Sequence, residues 1–422
     1  MVFLVVEEGV QSEKTHATQG SKGQRFDGIK FRGRFIKASD CDVADLLAHT
    51  ETESCIADFP LAKEVVKGVP VYDWQELPFE SGAGTDKVAE DMVAEEWAAV
   101  LMDGPGAFVI KGAFASDLGA VDAASKGFDQ ILSQEKAAAG SRGDHFAEAG
   151  ANSRIWNALE KLAVCHPEAF VRYYSNSAIA LAARAWLGPH YQMTSQLNVV
   201  HPGGQAQSPH RDYHLGFQTN SASEKYPTHV HDLSPLMTLQ GAIAHCDMPL
   251  DSGPTMLLPH SQKYKLGYLA WRQPAFVEYF DSHYVQIPLS KGDALFFNPA
   301  LFHAGGKNSS ADIHRSANLL QVSSAMGRAM ETVDRRRMVS AIFPALIKAA
   351  AEIGWSEEKT ANVVAASAEG YSFPTNLDRD VPIGGLAPET QAEKVLRGVA
   401  EKWTEPVLKQ ELDALASRRC SW

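Results

Sequence analysis

Ser208-Pro-His-Arg-Asp-Tyr-His214 sets two potential metal ligands, His210 and Asp212, on either side of one residue. In an extended strand, residues i and i+2 project from the same face, so both side chains can reach one ion. A second pole lies downstream in Gly292-Asp-Ala-Leu-Phe-Phe-Asn-Pro-Ala-Leu-Phe-His303. His-x-Asp with one distant His is the ligand set of a two-histidine, one-carboxylate facial triad, which suits Fe(II) and leaves coordination positions open. The third ligand must come from a strand packed opposite, and that requires the long excursion of chain between Asp212 and His303. Arg315 follows soon after, and a guanidinium fork suits a carboxylate and stays charged when buried. This combination predicts a site for 2-oxoglutarate, chelating the metal with its keto-acid end and resting its far carboxylate on Arg315.

Three blocks occur in a telling order. Leu197-Asn-Val-Val-His-Pro-Gly leads to Pro209-His-Arg-Asp. Asp251-Ser-Gly-Pro-Thr-Met-Leu-Leu-Pro-His-Ser-Gln-Lys follows, and Gly292-Asp-Ala-Leu-Phe-Phe runs through His303 to Arg315-Ser. Together, over roughly residues 90–325, they resemble the phytanoyl-CoA dioxygenase family of Fe(II)/2-oxoglutarate oxygenases, to which ectoine hydroxylase also belongs. The family's middle block usually reads Pro-Gly-Ser-His, so His260 and Gln262 are departures, expected at a surface turn. The resemblance implies a mainly β fold with flanking helices (α+β), built on a double-stranded β-helix, the cupin-like jelly roll. It also implies that Fe(II), 2-oxoglutarate and O₂ meet at His210, Asp212 and His303 as catalytic metal ligands. Succinate and CO₂ would be released as an unactivated C–H bond of a small metabolite is hydroxylated. Related halogenases replace the carboxylate ligand with a small residue, so Asp212 points to hydroxylation.

A net charge of −12 argues against a general nucleic-acid partner, since phosphate neutralisation needs a basic face. The five cysteines form no C-x-x-C pair, which suits free thiols in a reducing cytoplasm. No apolar run approaches the length of a membrane span, and the apolar start Met1-Val-Phe-Leu-Val-Val carries no basic leader. The chain reads as an irregular N-terminal extension (1–89), an oxygenase domain (90–330) and a helical C-terminal extension (331–422). The last packs on the barrel, makes a homodimer contact or closes over the pocket.

Within the extension, Glu13 to Gln24 reads as a linker and Ile29 to Ile36 as a short strand. Val93, Trp97, Val100 and Leu101 fall on one helical face, ended by Gly104-Pro-Gly. Ala107-Phe-Val-Ile reads as a buried strand, and Ser116 as the cap of a helix with Leu118 and Val121 inward. A helix over 177–187 stops at Gly188-Pro189. The strand Tyr191 to Val200 puts Gln192, Thr194, Gln196 and Asn198 on one face, either an exposed edge or a polar cavity wall. Tyr213 to Pro235 lacks periodicity and reads as a lid. Met237 to Ala244 is a strand, joined through Asp251-Ser-Gly-Pro to a hairpin partner at Thr255-Met-Leu-Leu. Gln286-Ile-Pro-Leu, Ala294-Leu-Phe-Phe and Ser316–Val322 supply more strands. Helices are expected around 343–353 and from Pro388 onward, interrupted or restarted at Pro406.

Asn198 and Gln240 are candidates for bonds to 2-oxoglutarate; Gln196, Tyr213 and His214 are candidates for substrate contact. A second His-x-Asp, His245-Cys-Asp247, competes for the metal but would leave the Pro-His-Arg-Asp block unexplained. Two other classes stay open: a cupin-type metal enzyme that does without 2-oxoglutarate, for which Arg315 has no purpose, and a non-catalytic barrel that binds a small molecule.

Overall fold

The computed structural model describes residues 33–79, 87–139 and 151–422. Glu13 to Gln24 and the start of the Ile29–Ile36 segment lie outside these residues, and 33–36 form a turn and bend rather than a strand. The strands are β1 (Glu64–Val66), β2 (Val69–Asp73), β3 (Ala107–Lys111), β4 (Asn152–Ile155), β5 (Gln192–Val200), β6 (Thr238–Ala244), β7 (Met256–Leu258), β8 (Ala294–Phe297), β9 (Phe302–Ala304) and β10 (Arg315–Ser323). Eight of them form one sheet in the order β1-β2-β3-β8-β6-β10-β5-β4. All neighbours are antiparallel except β2 and β3. The small sheet pairs β7 with β9, and single bridges extend it to His210 on one side and Val285 on the other.

Side-chain alternation shows how the two sheets face each other. Along β8, Ala294 and Phe296 join the core shared with the helices, while Leu295 and Phe297 join a second cluster. That second cluster also takes Leu257 from β7, so it lies between the sheets. Met256 and Leu258 turn outward under the helix Pro274–His283, together with Phe302 and Ala304 of β9. His303, between those two, therefore points inward. This two-sheet sandwich with its flanking helices is the double-stranded β-helix.

Behind the large sheet, Val93, Trp97, Val100 and Leu101 of the helix Lys87–Met102 are buried as the heptad-like spacing requires. The helix Leu118–Ala139 buries Val121 but exposes Leu118, and Asp117 rather than Ser116 accepts a bond from its first turn (Ala120 N, 3.2 Å). The helix Ser177–Leu187 ends at Gly188 with φ +78°. The C-terminal helices begin with Arg335–Ala350, longer than the 343–353 expected, and its Ile342, Phe343 and Leu346 enter the same core. Thr390 and Glu393 form the capping box that opens Gln391–Ala400, so the helix starts later than Pro388. Pro406 sits in the first turn of Glu405–Arg419 and restarts the helix.

Three local expectations fail. β6 and β7 belong to different sheets, so Asp251-Ser-Gly-Pro carries a crossover and not a hairpin. Gln286–Leu289 contributes only one isolated bridge, at Leu289, with a second at the preceding Val285. His260 is no surface residue: it is 3% exposed, bonded to Ser54 Oγ (2.9 Å), and holds φ +66°. That left-handed backbone favours glycine, which explains the residue usual there.

Candidate active site

His210 lies on no strand, contrary to expectation, but an isolated bridge sets it directly opposite His303 of β9, and the two exchange both main-chain bonds (2.9 and 3.1 Å). Their rings therefore lie close, with centroids 4.4 Å apart. Asp212 N donates to Pro299 O (3.0 Å), which pins the third residue to the loop before β9. Among the described residues, the donor atoms of His210, Asp212 and His303 all lie within 4.8 Å of one another. His303 Nε2 is 3.4 Å from Asp212 Oδ2, and His210 Nε2 is 3.8 Å from Oδ1.

The outer contacts fix how each ligand presents itself. Nδ1 of His210 meets Ser208 O (2.9 Å) and Nδ1 of His303 meets Leu301 O (2.8 Å). A carbonyl can only accept, so each Nδ1 donates to its carbonyl and each Nε2 is the nitrogen turned toward Asp212. One imidazole nitrogen from each histidine and a carboxylate are the donor set of an Fe(II) facial triad, so these residues fit the metal. Burial pushes the Asp212 carboxyl up, but His210, His303 and the Gln240 amide outweigh it and hold it below the usual carboxylate range. Burial lowers His210, which favours the neutral ring.

The cluster opens into a cavity of about 630 Å³. Gln196 and Asn198 of β5 line it and are buried, and β5 lies between β10 and β4. That strand is no exposed edge: Gln196 and Asn198 wall the cavity, while Gln192 and Thr194 donate to main-chain carbonyls outside its lining. Arg315 also lines the cavity and is 8% exposed. Burial brings its pKa down to about 10, so it is still a cation near neutral pH. Its one bond is Nη1 to Gly306 O (3.3 Å), and no carboxylate pairs with it among the described residues. A buried guanidinium needs an anion, and the described residues supply none.

Several expectations change here. Gln240, expected to bond 2-oxoglutarate, donates from Nε2 to Asp212 Oδ2 (2.6 Å) and so orients the carboxylate. Tyr213, expected at the substrate, gives its hydroxyl to Gln321 Oε1 and is not part of the cavity lining. His214 is also outside the lining, because Tyr213 (φ +66°) and His214 (φ +43°) break the alternation that began at His210. His245 is excluded as a ligand: Nδ1 meets Ser125 Oγ (2.7 Å) and Nε2 meets Tyr173 OH (3.0 Å). The expected lid contains short helices at Asn220–Ser223 and Thr228–Leu236, and Phe217 in the same segment lines the cavity.

The sequence reading missed Gln321, Arg154, Trp271, Arg272 and Arg211, all of which line the cavity. Gln321 was findable, since 315, 317, 319 and 321 share a strand face. Arg154, which donates from Nη1 to Gln196 Oε1 (2.9 Å), sits on a four-residue strand with no signal of its own. Arg211 is 2% exposed, held by Ser261 O and Tyr264 O (2.6 and 2.8 Å), with ring faces of Tyr268 and Phe302 near 5 Å (5.3 and 5.0 Å).

The fold and this cluster define the class of 2-oxoglutarate-dependent oxygenases, oxidoreductases on a double-stranded β-helix. The profile of the phytanoyl-CoA dioxygenase family matches residues 102–317, a little over half the chain, and the chain belongs to that family. Its enzymes use Fe(II), 2-oxoglutarate and O₂ on small molecules. No curated protein sequence matches this chain. Among solved structures, the α-ketoglutarate-dependent epimerase SnoN from nogalamycin biosynthesis is 17% identical, covering 56% of this chain and 82% of its own at a TM-score of 0.37. The carbocyclase SnoK from the same biosynthesis is 20% identical, covering 54% and 83% at 0.40. AviO1 from Streptomyces viridochromogenes Tue57 is 16% identical, covering 50% and 87% at 0.35. Among the described residues, no helix is long and apolar enough to cross a membrane.

Proposed function

We propose that this protein is a dioxygenase that hydroxylates an unactivated C–H bond of a small metabolite, releasing succinate and CO₂. His210, Asp212 and His303 would hold Fe(II), and Arg315 would take the far carboxylate of 2-oxoglutarate. The observation that carries this reading is the pairing of a convergent His/Asp/His set with a buried, carboxylate-free Arg315 in one cavity. Bound Fe(II) supplies the activation of O₂ and the oxidation of the C–H bond. The protein's share is to fix ligand tautomers through Ser208 O and Leu301 O, aim Asp212 through Gln240, and wall off water with β5, β6 and β10. Asn198, buried beside these groups, is placed for a further bond to the co-substrate, and Gln196 for the substrate side.

We take 90–330 as the catalytic unit and 331–422 as a helical extension packed on it. The retained carboxylate at 212 favours hydroxylation over halogenation. A cupin-type enzyme independent of 2-oxoglutarate would have no use for Arg315, and a non-catalytic barrel would have no use for the aligned imidazoles. The test is anaerobic Fe(II) retention by metal analysis, followed by succinate release when O₂ is admitted. The wild type should retain about one iron, with His210→Ala and His303→Ala retaining far less and releasing no succinate. Normal iron content and turnover in the His303 variant would overturn the assignment.

A further inference from the structure

We infer that the substrate is an organic acid with an apolar body, its acid group docking on Arg272 where that side chain stacks on Trp271. The inference rests on the oxygenase reading and adds the substrate's chemical class. The charge on the cavity wall starts the argument. Four guanidinium groups line it, those of Arg154, Arg211, Arg272 and Arg315, and Asp212 is the one carboxylate among the described lining residues. This positive set sits in a protein of net charge −12, so it is a local feature of the cleft, where low-dielectric walls focus a field on an incoming anion. Once Fe(II) and 2-oxoglutarate are bound, the metal, Asp212, the two carboxylates of the keto acid and Arg315 cancel. Three cations remain.

Their surroundings differ. Arg211 is sealed between main-chain carbonyls and ring faces. Arg154 shares its charge with the half-buried Glu331, whose carboxyl it acts on, and donates to Gln196. Arg272 stands at the rim and donates only to neutral acceptors: Gly216 O (3.0 Å) and Gln218 O (2.8 Å) from Nη2, Asn220 Oδ1 (3.3 Å) from Nη1. No carboxylate is within ion-pair reach of it among the described residues. Those main-chain bonds hold the fork in one place, so little side-chain entropy remains to be lost when an anion binds. Its Cζ lies 3.7 Å from the centroid of the Trp271 ring, and that ring lies 6.5 Å from His210. An acid on Arg272 is thus one indole away from the metal cluster. Trp271, Phe217, Phe297, Leu319 and Met330 line the same cavity, which suits an apolar body.

The test uses the full-length protein loaded with Zn(II), which halts turnover, at saturating 2-oxoglutarate. Calorimetric titration compares 3-phenylpropanoate, its uncharged amide and phenyl phosphate as probes. The carboxylate should bind about tenfold or more tightly than the amide, and Arg272→Gln should remove most of that advantage, with partial recovery in Arg272→Lys. Affinity for 2-oxoglutarate, titrated separately, should be the same in all three proteins. Tighter binding of phenyl phosphate assigns the acid as a phosphate, tighter binding of 3-phenylpropanoate as a carboxylate; either supports docking of an anion. Equal binding of acid and amide, an undiminished acid in Arg272→Gln, or no binding by either anion overturns the inference. Failure of the wild type to bind 2-oxoglutarate at all would instead sink the oxygenase reading.

Discussion

Asp212 is the residue on which the cluster turns, and its orientation depends on Gln240. The amide donates to Oδ2 at 2.6 Å, and Gln240 Nε2 also approaches Gln321 Oε1 (3.4 Å), which accepts from the Tyr213 hydroxyl. Replacing Gln240 with Leu keeps the bulk and removes the donor. Fe(II) affinity should fall about 10–100-fold, the usual effect of losing a partner of a metal ligand, measurable by competition with a chelator of known affinity. Unchanged affinity would show that Asp212 is held without it. Arg315→Ala should leave Fe(II) binding intact but weaken 2-oxoglutarate by about 10–100-fold, since a charge-assisted bond contributes roughly 1.5–3 kcal/mol. Titration of 2-oxoglutarate into the metal-loaded variant checks this, and equal affinity would remove Arg315 from the site.

At the scale of the element, the cluster is a consequence of where chain crosses between sheets. β9 holds His303 inward because Phe302 and Ala304 are needed outward under the helix Pro274–His283. The segment at 210 docks beside it, with Arg211 packed on Tyr268 and Phe302. Gly267 makes room for that arginine: a Cβ there would collide with the Arg211 guanidinium. Gly267→Ala should therefore destabilise the protein by about 1–3 kcal/mol, as overpacking does, and also weaken Fe(II) binding by shifting residues 210–212. Urea denaturation reads the first effect and metal titration the second. A variant as stable and as metal-competent as the wild type would show that Arg211 has freedom the packing denies it.

Across the whole molecule, acid stability is tied to His245, buried between Ser125 and Tyr173 in the core behind the large sheet. Burial lowers its pKa from 6.5 to about 3. The unfolded chain takes up a proton below its ordinary pKa while the folded chain refuses it until about pH 3. Stability is fully present above pH 6.5 and falls as pH drops through that window, by roughly 1.4 kcal/mol per pH unit from this one group. His245→Gln should flatten that slope, compared by urea midpoints at neutral and mildly acidic pH. Parallel slopes would place the acid sensitivity elsewhere.

The sequence by itself pointed to the candidate ligand set and to several strands around it. The two-residue spacing of His210 and Asp212 and the polar face of β5 are local facts of backbone geometry, readable without coordinates. So were the buried stripe of Lys87–Met102 and the guanidinium at the head of β10. Tertiary structure alone decided that the Asp251 turn crosses between sheets, that Gln240 donates to Asp212, and that Tyr213 and His214 fall outside the cavity lining, Tyr213 reaching it through Gln321. It also gathered Arg154, Arg211 and Arg272 around one space. The reason is physical: alternation tells which face a side chain takes, but which faces meet depends on sheet pairing across more than a hundred residues. No local pattern of spacing or propensity encodes that distance.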